Sequence, residues 1–348
     1  MRTFKLKIIS LAFGAVFFSS CTNLLYTSLD VLRPAKVAFN INANNLLIIN
    51  NTVKQPIQYG HKTQLLNEKQ KSVLIPTDSL AIFCLGSLTE EMEAKDFFTT
   101  VKFLPNSINS SGSFDSISYI DEEEVKKLCQ ENNADVIVSL DKIKVNDDLN
   151  EYYLNETSTY LSALELKFET YWSIRYPDNI KSSYVQFKDT VYWESESYVR
   201  RKAMADLPKR ADALVDGALS VGQKTINRFV PYWEKVDRYF FNSSNKLMKQ
   251  GMDSVYVKNW NSAIELWKKA LNKTKSERLK AHAANNIAIA YEISGDVDKA
   301  LEYVTLSFYS LGQLSLVDYE SFIRVSEYLA ELTQRKKELT ILKKQLGE

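Results

Sequence analysis

The hydrophobic period changes along the chain. Short apolar runs with polar borders come first. "LLII" at 46–49, "VKFL" at 101–104 and "VIVSL" at 136–140 predict buried strands. A polar stretch with Gln55, Pro56, Gly60, His61 and Lys62 follows the first run. Pro76 then precedes the cap candidates Thr77, Asp78 and Ser79, and Ile82, Leu85, Leu88 and Met92 recur at helical spacing. A second helix opens at Asp121, where Glu122, Glu123 and Glu124 suit the positive end of a helix dipole. Strand, helix, strand, helix, strand is the order of a layered α/β arrangement. Residues 160–175 and 183–195 are rich in Tyr, Phe, Trp and Thr with "YPDN" between them, which predicts an added antiparallel hairpin. One long helix is expected over 203–229, ended by Pro231. Beyond residue 240 the period is helical throughout.

In the last hundred residues, "NNIAIAYEISGDVDKALEY" reads as two helices split by a turn at Gly295, a residue that tolerates positive φ. Ala288, Ala300, Val304 and Ser307 form its packing face. Gly251, Ala263, Trp267 and Ala270 repeat those positions 37 residues earlier, with Ser254 and Lys258 where Tyr and Gly are expected. The pattern resembles the tetratricopeptide repeat, a helix pair of about 34 residues that needs neighbours on both sides. Residues 316–345 supply either a third, degraded pair or one long capping helix. The helix before Pro231 and "PYWEKVDRYFF" are expected to cover the other end.

Composition adds an address. Charged residues are 25% of the chain and the formal net charge is +1, so the basic footprint that nucleic acid requires is missing. Arg2, Lys5 and Lys7 precede the apolar run 8–18, which is too short to span a bilayer and reads as a signal segment. "FFSSC" ends at Cys21 and resembles the lipobox of bacterial lipoproteins, with Phe18 where Leu is usual. That resemblance implies cleavage before Cys21 and lipidation of its thiol. Thr22 in place of Asp implies, by the same likeness, an outer-membrane anchor, and the lack of an acidic run just after Cys21 implies that it faces the periplasm. Cys84 and Cys129 remain; an oxidising periplasm would let them pair, and the other reading is that both sit in apolar helical patterns where cysteine acts as a small hydrophobe.

"RPAKVAF", "LLIINNT" and "RFVPYWEKVDRYFF" together resemble an uncharacterised Bacteroidetes lipoprotein family, a domain of unknown function often followed by tetratricopeptide repeats. The shared positions are Arg33, Pro34, Ala35, Asn50, Thr52, Pro231, Trp233, Arg238 and Tyr239. Asn51 stands where that family often has Arg, and Phe240 where it often has Tyr. The α/β part also resembles, at the level of fold, small domains of curli-secretion and Tol-associated lipoproteins. The expected organisation is a signal peptide at 1–20, a tether at 21–44, an α+β or α/β domain with a mixed sheet at 45–240, and all-α tetratricopeptide-like repeats at 241–348.

Catalytic signatures are missing from the pattern. The two histidines, His61 and His282, and the few cysteines do not make a zinc motif. "GALSVGQKT" has Gln223 where a phosphate loop needs Lys and follows no strand. No catalytic residue, cofactor or metal site is expected. Asp-Ser or Asp-Thr before an aliphatic residue occurs at Ser79, Ser116, Thr190 and Ser254. It resembles an O-glycosylation acceptor and equally fits helix caps and turns. The leading expectation is a non-enzymatic scaffold that binds a protein partner in the cell envelope near Trp260, Asn285 and Tyr291. The alternative is a glycan-binding lipoprotein using the pairs Tyr152/Tyr153, Tyr171/Trp172 and Tyr192/Trp193, of which one member each should face a groove.

Overall fold

The structure is a computed structural model and describes residues 24–109, 112–178, 180–314 and 318–347. The signal segment 1–20 and Cys21 lie outside the described residues. The described chain divides into two units, residues 32–232 with 341–347 and residues 24–31 with 233–340.

The chain enters as β1 (Leu24–Arg33). The strands β2 (Asn45–Asn50), β3 (His61–Gln64) and β4 (Lys71–Ser72) precede α1 (Leu80–Ala94). Next come β5 (Thr100–Leu104), α2 (Glu122–Asn132) and β6 (Val136–Leu154). The strands β7 (Thr159–Arg175) and β8 (Ser183–Ser197) fold back as a meander. Two helices, α3 (Arg200–Ala205) and α4 (Arg210–Phe229), lead to β9 (Tyr232–Phe241).

The sheet of the first unit is mixed. β2 is parallel to both β5 and β6. β3 runs parallel to the far half of β6 and pairs antiparallel with β4. β7 and β8 extend the sheet antiparallel. β2 explains its own composition. Leu46 and Ile48 pack with α1 and α4, Leu47 and Ile49 pack with α2, and all four are at most 1% exposed. A strand covered on both faces reads as a continuous apolar run. Cys84 and Cys129 are free and buried in these cores, and burial pushes their thiols up to about 12 and about 11.

Three carboxylates sit at inward positions of the sheet, and each meets an arginine of α3 or α4. Glu151 takes a two-pronged bond from Arg200 at 2.8 and 2.6 Å. Asp147 is bonded by Arg210, and Asp189 takes 2.7 and 2.5 Å bonds from Arg228. Arg210 and Arg228 share one face of α4, about five turns apart. A buried carboxylate is tolerable only when paired in this way.

The second unit is a run of helices. They are α5 (Lys246–Tyr256), α6 (Trp260–Lys273), α7 (Glu277–Ile293), α8 (Val297–Gly312) and α9 (Tyr319–Leu346). Each of the first four starts on a side chain that accepts a backbone N–H: Asn245, Asn259, Ser276 and Asp296. All eight positions of the 37-residue offset are buried. Gly251 has a direct reason, since a Cβ there would fall 2.1 Å from the indole Nε1 of Trp267. Gly295 turns at φ +84°, and Lys258 takes the same left-handed region at φ +55°. Residues 319–346 form one helix rather than a pair. β9 belongs with this unit. Phe240 and Phe241 lie in the helical core, and Asn286 bonds both backbone groups of Phe241 at 2.8 Å.

Four expectations need correction. Residues 21–44 were expected as a tether, yet β1 occupies Leu24–Arg33 and pairs with β9. The alternating "LLYTSLDVLR" finds its backbone partners some 200 residues away, which no local signal shows. The polar stretch after β2 contains the short hairpin β3–β4, fixed by pairing with β6 rather than by its own propensity. The strand at 136–140 continues to Leu154, because inward Asp147 and Glu151 break an apolar alternation that Ile143, Val145 and Leu149 otherwise keep. The helix over 203–229 is two helices. Pro208 offers no N–H and biases Leu207 away from helix.

Candidate functional site

Two polar constellations stand out, one in each unit. In the helical unit, Arg238 of β9 grips Glu292 of α7, with Nε and Nη2 donating at 2.8 and 2.9 Å. The hydroxyl of Tyr328 on α9 donates to the same carboxylate at 2.8 Å, and the guanidinium lies 4.9 Å from the Tyr328 ring centre. Glu331 adds a second carboxylate at 2.8 Å from Arg238. Desolvation opposes the charge on Arg238, but the bonds to Glu292 outweigh it and raise its pKa. Burial, then Glu292, pushes the Tyr328 phenol well up. Beside this group is a cleft of about 150 Å³, walled by Asp237, Tyr239, Asn285, Ile289 and Glu327 as well as by Arg238, Tyr328 and Glu331. Asn285 is 1% exposed and donates to the carbonyl of Tyr239 at 3.3 Å.

In the sheet unit, Asp141 lies at the bulge where the β6–β7 register slips between Leu140 and Lys142. A bulge re-aims a side chain, and here the carboxylate turns into the protein. It accepts from Asn51 at 2.8 Å and from Ser139 at 2.7 Å. Burial pushes Asp141 up, against the pull of Asn51 and Ser139. Asn50 closes the neighbouring turn, accepting from the Thr52 hydroxyl at 2.8 Å and donating to the Pro105 carbonyl at 3.0 Å. Asn51 also donates to the carbonyl of Ser118 at 2.8 Å, so it clamps two loops. Among the described residues Asp141 Oδ2, Ser173 Oγ and Arg175 Nε complete no hydrogen bond, although Ser173 and Arg175 also pull the Asp141 carboxyl down.

A buried histidine–carboxylate contact escaped the sequence reading. His61 and Asp147 are opposite residues in the β3–β6 register, and Nδ1 bonds the carboxylate. Arg210 joins them, its Nη1 also donating to Thr63 at 2.9 Å. Both His61 and Asp147 are at most 1% exposed, and the trio fastens β3 to β6 and α4. A recess of about 630 Å³ lined by Thr63, Leu65, Leu149 and Met204 carries the mutually bonded pair Glu151–Arg200 and a second cation, Arg201. Among the described residues no group of three or more His, Cys, Asp or Glu is placed to hold a metal. Among them no helix is long and apolar enough to cross a membrane.

The residues expected at a partner surface have separate surroundings. Trp260 is half-buried and stacks on Phe240 at 6.4 Å. Asn285 lines the cleft. Tyr291 stacks on Tyr303 at 5.6 Å and accepts from Lys268 at 2.9 Å. His282 stacks on Phe241 at 4.1 Å, and burial lowers its pKa to about 4. Of the aromatic pairs, Trp172 is core while Tyr171 is half-buried, and Trp193 packs inward while Tyr192 is exposed. Tyr152 and Tyr153 are both exposed, because β6 there runs out towards its hairpin turn. Ser79, Ser116 and Thr190 are exposed. Ser79 precedes α1 without a side-chain cap bond, and Ser254 sits within α5 with its hydroxyl on the Gln250 carbonyl at 3.1 Å.

No curated protein matches the chain. Two family models do. A domain of unknown function, DUF6340, matches residues 249–334, and another, DUF8603, matches residues 43–241. The second match covers more than half of the 348 residues, and the chain belongs to the family of this domain of unknown function, DUF8603.

Proposed function

We propose that the chain is a non-catalytic lipoprotein of a Bacteroidetes-type envelope, anchored through Cys21 in the outer membrane and facing the periplasm. Its helical unit, of tetratricopeptide type, takes up a protein partner. One observation carries this reading: both copies of the offset pattern bury the same four positions, as stacked repeats require. Repeat stacks present concave surfaces to peptides. The cleft at Asn285 fits that use. Its volume of about 150 Å³ is below the roughly 300 Å³ at which small-molecule sites begin, and suits one side chain of a partner. The test is capture of envelope proteins on the intact chain and on Glu327→Lys/Glu331→Lys. Loss of a defined partner supports the reading, and an unchanged set of partners counts against it.

A second reading has its own support. Tyr152 and Tyr192 are about half exposed on one face of β6–β7–β8, in rows four residues apart, as an extended sugar-stacking surface would have them. Glycan binding abolished by Tyr152→Ala and Tyr192→Ala, with the partner set unchanged, favours this reading over the scaffold.

A further inference from the structure

β8 is an edge strand of 15 residues whose edge protection is limited to Lys188 and to the inward Asp189, which Arg228 already holds. It contains no proline or glycine, and its register with β7 runs without a slip from Tyr160↔Ser197 to Ile174↔Ser183. Among the described residues it pairs with β7 alone, and no backbone–backbone bond outside that ladder involves residues 183–197. A long, regular open edge is a template for another strand.

The charges along β8 say which strand. Its even-numbered residues face outward: Tyr184, Gln186, Lys188, Thr190, Tyr192, Glu194 and Glu196 are all exposed. Lys188 lies across from Glu169 on β7, but Glu169 already holds Lys144 of β6 at 3.1 Å. Among the described residues Lys188 makes no ion pair, and Glu194 has only the hydroxyl of Tyr192 at 3.1 Å. Lys188 and Glu194 are equidistant from Val191 in sequence.

We propose that two copies of the chain pair through β8, antiparallel, about a two-fold axis at Val191. This register places Lys188 of each copy opposite Glu194 of the other, twice by symmetry, and Gln186 opposite Glu196. Each outer row then continues in alternating sign, Lys144, Glu169, Lys188 and the partner copy's Glu194. A slip of one residue would set outward side chains against inward ones. Centring on Thr190 instead would face Lys188 with Tyr192, and centring on Tyr192 would face it with Glu196, whose carboxylate is already bonded by Thr159. A lone edge lysine is also a device that discourages pairing. Here it has a matching carboxylate in a second copy, so the same residue selects the partner. The inference does not depend on the scaffold reading.

The test is sedimentation of the full-length chain in mild detergent over a concentration series, with Lys188→Glu, Glu194→Lys and the double exchange. Each single variant puts like charges opposite one another twice and should weaken the dimer roughly tenfold. The double exchange should restore it. Hydrogen exchange in β8 should slow with concentration for the parent chain and for the double exchange. A parent chain that stays monomeric overturns the proposal. A dimer indifferent to all three variants, or singles that weaken it without rescue by the double, overturns it as well.

Discussion

Replacing Arg238 by methionine probes the centre of the helical unit. Methionine fills much of the arginine stem's volume but leaves the Glu292 carboxylate, whose side chain is 3% exposed, with the Tyr328 hydroxyl as its remaining partner in the cluster. Removing one member of a buried ion pair costs about 3–5 kcal/mol, because the stranded charge is unpaired. A lost cation over the Tyr328 ring adds about 1 kcal/mol. The expected loss is therefore about 4–6 kcal/mol, against a total domain stability of about 5–15 kcal/mol. Arg238→Met/Glu292→Met removes both charges and should recover more than half of that loss. Native-state hydrogen exchange in α7 and α9, with urea unfolding of the whole chain, reads the effect locally and globally. A single-variant cost under about 1 kcal/mol, or a double variant no better than the single, refutes the claim that this pair locks β9 to the helices.

Two glycines of the sheet unit should respond oppositely. A Cβ at Gly222 would meet the Cys84 carbonyl oxygen at 2.2 Å, where backbone must move, so Gly222→Ala should cost about 3 kcal/mol or more in urea unfolding. Gly86, also helical, has nothing within 4 Å, and Gly86→Ala should stabilise by up to about 1 kcal/mol. Lys258→Gly relieves a left-handed lysine and should raise the melting temperature slightly. His282 is held neutral in the fold, at about 4 against an ordinary 6.5, so the unfolded chain binds the extra proton between those values. Its contribution is complete above pH 6.5 and is lost as pH falls towards 4. His282→Gln should flatten this part of the stability profile by about 1–3 kcal/mol.

The parallel core and the helix pairs were legible because their periods are unbroken. "LLII" has no polar residue to disguise it, and Ala288 to Ser307 keep helical spacing around one glycine. What stayed hidden is what distant residues decide. Asp147 and Glu151 hide the second half of β6 until Arg210 and Arg200 are seen beside them. β1 looks like a tether because its partner strand starts at Tyr232. Asn285 was legible as a candidate, but its neighbour Asn286, which holds Phe241 by both backbone groups, carries no local sign of that duty. The contact between His61 and Asp147 follows from strand register alone.

The central claim is that the helical unit recognises a protein. In living cells, a photo-crosslinking residue at Glu327, beside the Asn285 cleft, tests it most directly when compared with one at Tyr152. The account predicts one discrete adduct from Glu327, lost on competition with the unlabelled chain, and none from Tyr152. Adducts from Tyr152 alone would contradict it.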